Sequence, residues 1–294
     1  MRHLVLALAI VLLACGGSPS GPPGTASGPG AASGTEGTTP SADGVPIHYV
    51  STGTGDAAVV LVHCWGCNLH YWDGAVRALA PRYHVVALDL AGHGQSGKNR
   101  KDWTITAFGE DVRAVVGALG LKRVILVGHS MGGPVILEAA NLMPDRVVGL
   151  VPVDTLHDVD RDMPDEKKQQ MFARMRQDFP GTTTELVHHL FPKDADPKIV
   201  DRVVFDGTHA DPTVGIPALE SLFAYRAGPA LERIKVPIVA INADLVPTNL
   251  DVERRHAPQF EAVIMKGVGH WLMLERPDEF NTDLLSVLDR MHLQ

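Results

Sequence analysis

The chain has 294 residues, 45% of them hydrophobic, and a formal net charge of -8. The hydrophobic share is enough for one large buried core. The acidic balance, with no Lys/Arg cluster interleaved with aromatics, excludes nucleic acid as an expected partner.

The N-terminus opens with "MRH", runs apolar from Leu4 to Ala14 and ends in "LLAC". This run is too short to span a hydrocarbon core, so it reads as a secretory signal over residues 1–14. Ala14 before Cys15 resembles a bacterial lipoprotein signal box. That resemblance implies an acylated Cys15, a membrane partner reached through an N-terminal lipid anchor, and an extracytoplasmic, membrane-anchored location. The alternative is an ordinary signal peptide that contains a cysteine. Residues 16–43, "GGSPSGPPGTASGPGAASGTEGTTPSAD", hold almost no apolar side chain larger than Ala. Such a segment cannot offset the entropy of ordering its backbone, so residues 15–43 are expected to form a disordered tether.

Residues 44–294 are expected to form one domain. An antiparallel pair is expected from "GVPIHYVSTG" into "AAVVLVH". Buried strands then follow at "YHVVALDL", "RVILVGH", "RVVGLVPVD", "VPIVAIN" and "FEAVIMKG", all rich in Val and Ile and bounded by Gly, Asp or Pro. Helical spacing marks "TITAFGEDVRAVVGALG", "MGGPVILEAANLMP" and a final "PDEFNTDLLSVLDRMH" with Pro277 in its first turn. This alternation predicts an α/β fold, a mostly parallel sheet with helices on both faces. It breaks over residues 155–232, where successive helices predict a helical cap. Met171, Phe172, Met175, Phe179, Leu222, Phe223 and Tyr225 in that insertion either line a pocket or serve as its core.

The chemistry concentrates at "VILVGHSMGGPVILEAA", where Gly128, Ser130 and Gly132 form G-x-S-x-G between a strand and a helix. A tight turn there strains Ser130 and presents its hydroxyl at the top of the sheet. Here the chain resembles the α/β-hydrolase superfamily, and among its members the cap-bearing Ser-His-Asp hydrolases. The resemblance implies a nucleophile elbow and triad members in the order nucleophile, acid, histidine. The histidine would be His270 in "MKGVGHWLMLERPDEF", after the last strand and before the last helix. His129 and His63 are expected to support rather than act as base. The acid would be Asp244, the first beyond "VPIVAI", with Asp251 and Asp154 as rivals. Many relatives place this acid three residues after a Gly; here Asn242 stands near that place and Leu245 at the third position. Asp89 in "LDLAGHGQS" is expected to organise a loop.

In "VVLVHCWGCN" the same alignment puts Cys64 where relatives carry Gly, and makes the amides of Trp65 and Met131 the oxyanion hole. Cys64 and Cys67 also read as a CxxC redox pair, as a small structural disulfide, or as two packed thiols. A β-carbon at Cys64 would penalise a positive φ. The reading that follows is a Ser-dependent hydrolase of a small-molecule ester or related acyl substrate, working through an acyl-enzyme with no metal and no cofactor. The alternatives are a non-catalytic small-ligand-binding protein on the same fold and a CxxC thiol oxidoreductase.

Overall fold

The computed structural model describes residues 34–291 apart from residue 56. The expected signal segment, Cys15 and most of the expected tether lie outside the described residues. The sheet has eight strands: β1 (Thr35–Pro40), β2 (Pro46–Thr52), β3 (Ala57–Val62), β4 (His84–Leu88), β5 (Arg123–His129), β6 (Val147–Val153), β7 (Ile238–Ala243) and β8 (Phe260–Met265). Their spatial order is β1-β2-β4-β3-β5-β6-β7-β8, with every pairing from β4 to β8 parallel.

Two expectations about the N-terminal part are corrected. Residues 35–40, assigned to the tether, form edge strand β1 and pair antiparallel with β2 from Thr35↔Ser51 to Pro40↔Pro46. This strand buries little; its Thr-rich backbone is held by the ladder rather than by apolar side chains, so no hydrophobic pattern announces it. The antiparallel partner of β2 on its other side is β4, not β3. Both edges of β3 are already occupied by the parallel strands β4 and β5, which leaves β2 only the free edge of β4. The hairpin is fastened to the body by the fully buried Asp111, whose carboxylate accepts from Ser41 Oγ at 2.6 Å, from Arg100 Nη2 at 2.5 Å and from the Ala91 amide at 3.1 Å.

Both faces of the sheet are covered, as a continuous apolar strand requires. Successive β3 residues enter opposite cores. Val60 and Val62 pack with Phe108 and Val112 of α2 (Ile105–Ala118) and with Val135 and Ile136 of α3 (Gly132–Leu142). Val59 and Leu61 share the other core with Ala75 of α1 (Asp73–Leu79) and with Phe280, Leu284 and Val287 of α11 (Pro277–Arg290). Pro277 opens α11, where its missing N–H costs no hydrogen bond.

Between β6 and β7 stand five helices: α4 (Asp165–Gln177), α5 (Phe179–His189), α6 (Pro197–Thr208), α7 (Pro212–Ala224) and α8 (Ala227–Arg233). Asp178, Asp196 and Asp211 cap the first turns of α5, α6 and α7 with side-chain oxygens, and each of these helices carries Pro at its first or second position. These five helices run from Asp165 to Arg233, over the stretch where successive helices are expected. Two short helices complete the fold, α9 (Leu250–His256) and α10 (Leu272–Glu275). Among the described residues no helix is long and apolar enough to cross a membrane.

Candidate active site

The turn between β5 and α3 holds Ser130 at φ 53°. A side chain in this left-handed region costs about 1–2 kcal/mol, so its neighbours must hold it there. The Ser130 amide donates to Val153 O at 2.9 Å, and its carbonyl accepts from the Gly133 amide at 2.9 Å. The turn is too tight for side chains beside it: a Cβ on Gly128 would lie 2.2 Å from Gly132 O, and one on Gly132 would lie 2.6 Å from Val62 O. The glycines of the motif are thus fixed by backbone contact.

His270 lies in the loop after β8, its ring lining the same cavity as Ser130. Its backbone is held from both sides, its amide donating to Leu190 O at 2.9 Å and its carbonyl accepting from His129 Nε2 at 2.8 Å. Because His129 donates through Nε2, its buried Nδ1 is the unprotonated nitrogen. Burial, reinforced by the charge of His270, pushes His129 down to about 3, so it works as a neutral brace. Glu275 fixes the loop further by accepting from the amides of Gly269 at 2.9 Å and Trp271 at 3.1 Å. Sequence reasoning missed Glu275, and its nearness to His270 in "GHWLMLE" was the only signal for it.

The acid at His270 is Asp154, not Asp244. Asp154 Oδ2 lies 2.5 Å from His270 Nδ1, and Oδ1 accepts from the Ala243 amide at 2.8 Å. Asp154 follows β6 at φ 44° and is 5% exposed. Burial pushes its carboxyl up, but the hydrogen bond and charge of His270, the nearby His157 and the Ala243 amide together outweigh that and hold it below the usual carboxylate range. Asp244 is exposed and accepts from the Gly267 amide at 2.8 Å, so its carboxylate ties the turn after β8. Asp251 is an exposed residue in the first turn of α9.

Around the strand β3 loop, Asp89 accepts from the amides of Leu69 and Gln95 and contacts His48 Nδ1, the loop-organising role expected of it. His63 Nε2 accepts from the Leu90 amide at 3.0 Å, which puts the proton on Nδ1, where it donates to Cys64 O at 2.7 Å. Cys64 and Cys67 are joined by a disulfide with Cα atoms 5.3 Å apart. The Cys67 amide also donates to Cys64 O at 3.3 Å, and Gly66 takes φ 67°, so the bridge closes the ends of a tight turn. Positive φ falls on Gly66 rather than on Cys64, so the cysteine in the place of Gly strains nothing. Trp65 at the tip is anchored to the cap through Nε1–H to Gly215 O at 2.7 Å and an edge contact with Phe179. Among the described residues the amides of Trp65 and Met131 donate to no protein acceptor.

Two concavities meet at His270. One, of about 210 Å³, is lined by Ser130, Trp65 and apolar residues of α5, α6 and α7. The other, of about 490 Å³, is lined by Asp154, His157 and the exposed residues 160–162. Of the cap residues expected either to line a pocket or to form core, Leu222 and Phe223 line both concavities and Tyr225 the larger one. Phe172, Met175 and Phe179 pack instead with Ile216 and Leu219 into a small core of the cap, with Met171 beside them. No group of His, Cys, Asp and Glu among the described residues is placed to hold a metal ion.

Comparison with known proteins agrees with this architecture. An uncharacterised protein of Mycobacterium bovis is 41% identical over 96 residues, which make up 33% of this chain and 28% of that protein. A pimeloyl-[acyl-carrier protein] methyl ester esterase of Yersinia pseudotuberculosis is 26% identical over 247 residues, covering 80% of this chain and 94% of the esterase. Among solved structures, a thermophilic esterase from Thermogutta terrifontis superposes with a TM-score of 0.76 at 25% identity, covering 88% of this chain and 99% of that one. Est816, described as an N-acyl homoserine lactone degrading enzyme, superposes with a TM-score of 0.76 at 26% identity, covering 84% of this chain and 99% of its own. A model of the alpha/beta hydrolase family matches residues 59–283, and the chain belongs to that family.

Proposed function

We propose that the protein is a serine-dependent hydrolase of small esters or related acyl compounds. The observation that carries this reading is the pairing of His270 with the buried Asp154, on a ring that lines one cavity with the strained Ser130. A hydroxyl is a weak nucleophile at neutral pH and needs a base beside it. With Nδ1–H held by Asp154, His270 presents an unprotonated Nε2 to take the Ser130 proton as the hydroxyl attacks the carbonyl carbon. The developing oxyanion is stabilised by the free amides of Trp65 and Met131. His270 then returns the proton to the departing alcohol, leaving an acyl group on Ser130. Water activated by the same imidazole releases the acid and restores the serine.

The redox alternative draws little support from the CxxC segment, since Cys64 is 2% and Cys67 4% exposed and thiol exchange needs an accessible sulfur. On the "LLAC" segment alone, the proposal extends to an extracytoplasmic enzyme tethered to a membrane through Cys15.

The test is hydrolysis of p-nitrophenyl esters by the purified protein and its Ser130→Ala variant. Turnover that vanishes in the variant is the expected result. Equal turnover in both overturns the role of Ser130; none in either from folded protein overturns the assignment and favours a ligand-binding protein on this fold.

A further inference from the structure

The two concavities at His270 differ in size and in lining, and that difference assigns the two halves of the substrate. Trp65, which offers a free amide, and Ser130 line only the smaller cavity. The reacting carbonyl must lie against both, so the acyl group attached to it extends into that cavity. Its walls are apolar side chains of three cap helices, among them Val187 of α5, Val203 of α6 and Leu219 of α7. The phenol of Tyr71 lines it as well, but its hydroxyl is bound to Asp206 Oδ2 at 2.8 Å and so offers no free donor to a ligand. His270, which must hand its proton to the leaving group, also fronts the larger cleft. That cleft is lined by Asp160, Arg161, Asp162 and Arg226, and the carboxylates of Asp160 and Asp162 are engaged by Arg255 and by Lys168 and Arg226 respectively. The Arg161 guanidinium has no partner among the described residues.

Size then limits the acyl group. A dry apolar cavity of about 150 Å³ holds benzene, and each further ~30 Å³ is the space of one water or roughly one methylene. At about 210 Å³ the cavity holds a phenyl ring with about two further carbons, or a flexible chain of comparable bulk. We propose that the substrate is an ester of a compact apolar acid, arylalkanoic or of about six to eight carbons, whose larger polar alcohol portion occupies the Arg161 cleft. This rests on the serine-hydrolase reading above and adds to it the direction and size of the substrate.

The experiment measures kcat/KM of the full chain on p-nitrophenyl esters from acetate to palmitate and on the phenylacetate, beside Val203→Phe and Leu219→Ala. Activity is expected to peak at hexanoate to octanoate or at phenylacetate and to fall roughly tenfold or more by dodecanoate. Val203→Phe, which fills the cavity, shifts the peak to shorter acyl groups; Leu219→Ala, which enlarges it, shifts the peak to longer ones. A peak at dodecanoate or beyond, or two variants that scale every substrate equally, overturns the acyl assignment while Ser130-dependent turnover still stands. For the alcohol half, Arg161→Ala is compared on a hexanoate ester of a carboxylate-bearing phenol and on its neutral counterpart. A rise in KM of about fivefold or more confined to the anionic ester is expected; an equal effect on both overturns that half.

Discussion

Asp154 and His270, 116 residues apart in the chain, meet at 2.5 Å between Oδ2 and Nδ1. The bond fixes which ring nitrogen carries the proton, and an amide at position 154 would present a donor or a weaker acceptor there. Asp154→Asn is therefore expected to lower kcat by about 10³ to 10⁴ with little change in KM. Asp244→Asn, which only loosens the turn at Gly267, is expected to keep activity within about threefold, as an exposed polar substitution does. Ester turnover by the two folded variants decides between them; the reverse ranking returns the acid role to Asp244.

The exchange of Asp244 for Asp154 also marks where sequence reasoning stops. The signals that single out Ser130 and His270 are local: a strand, a tight glycine-flanked turn and a helix for one, and the loop between the last strand and last helix for the other. Both candidate acids follow buried strands, and nothing within a few residues distinguishes them. The choice rests on how far β6 and β7 extend and on the left-handed backbone at Asp154, both products of long-range packing. Strand β1 was hidden for a different reason, since an exposed edge held by backbone hydrogen bonds carries no apolar alternation. Glu275 escaped because an acid near a helix start reads as ordinary surface charge until the fold sets its carboxylate against the amides of Gly269 and Trp271.

The Cys64–Cys67 bridge closes a turn that its backbone also holds, through the Cys67 amide and the His63 side chain, both bound to Cys64 O. Removing the bridge should then cost stability more than activity. For a closed loop of about four residues the loop-entropy model gives about 2 kcal/mol. The double variant Cys64→Gly/Cys67→Ser is expected to lose up to that amount in denaturant unfolding while keeping Ser130-dependent turnover within about threefold. A collapse of kcat in folded protein would show instead that the bridge itself holds the Trp65 amide in place.

Glu253 gives the fold a pH dependence separate from the catalytic groups. It is fully buried on α9; its Oε1 accepts from the Val159 amide at 2.9 Å, while Oε2 has no partner among the described residues. Burial, aided by the charges of Asp158 and Asp160, pushes its carboxyl up to about 7 despite the Val159 amide and His256. The folded chain therefore holds a proton that the unfolded chain releases near 4.5. Its stabilising contribution is complete below about pH 4.5 and is lost as pH rises toward and through about 7. Glu253→Gln keeps the Oε1 acceptor and cannot ionise. At about 1.4 kcal/mol per unit over the shift from 4.5 to about 7, the variant is expected to gain about 3 kcal/mol on the wild type between pH 4.5 and 8. Urea unfolding of both proteins across that range is the measurement. Parallel stability curves would mean that Glu253 ionises over the same pH range in the folded and unfolded chains, and would overturn the assignment.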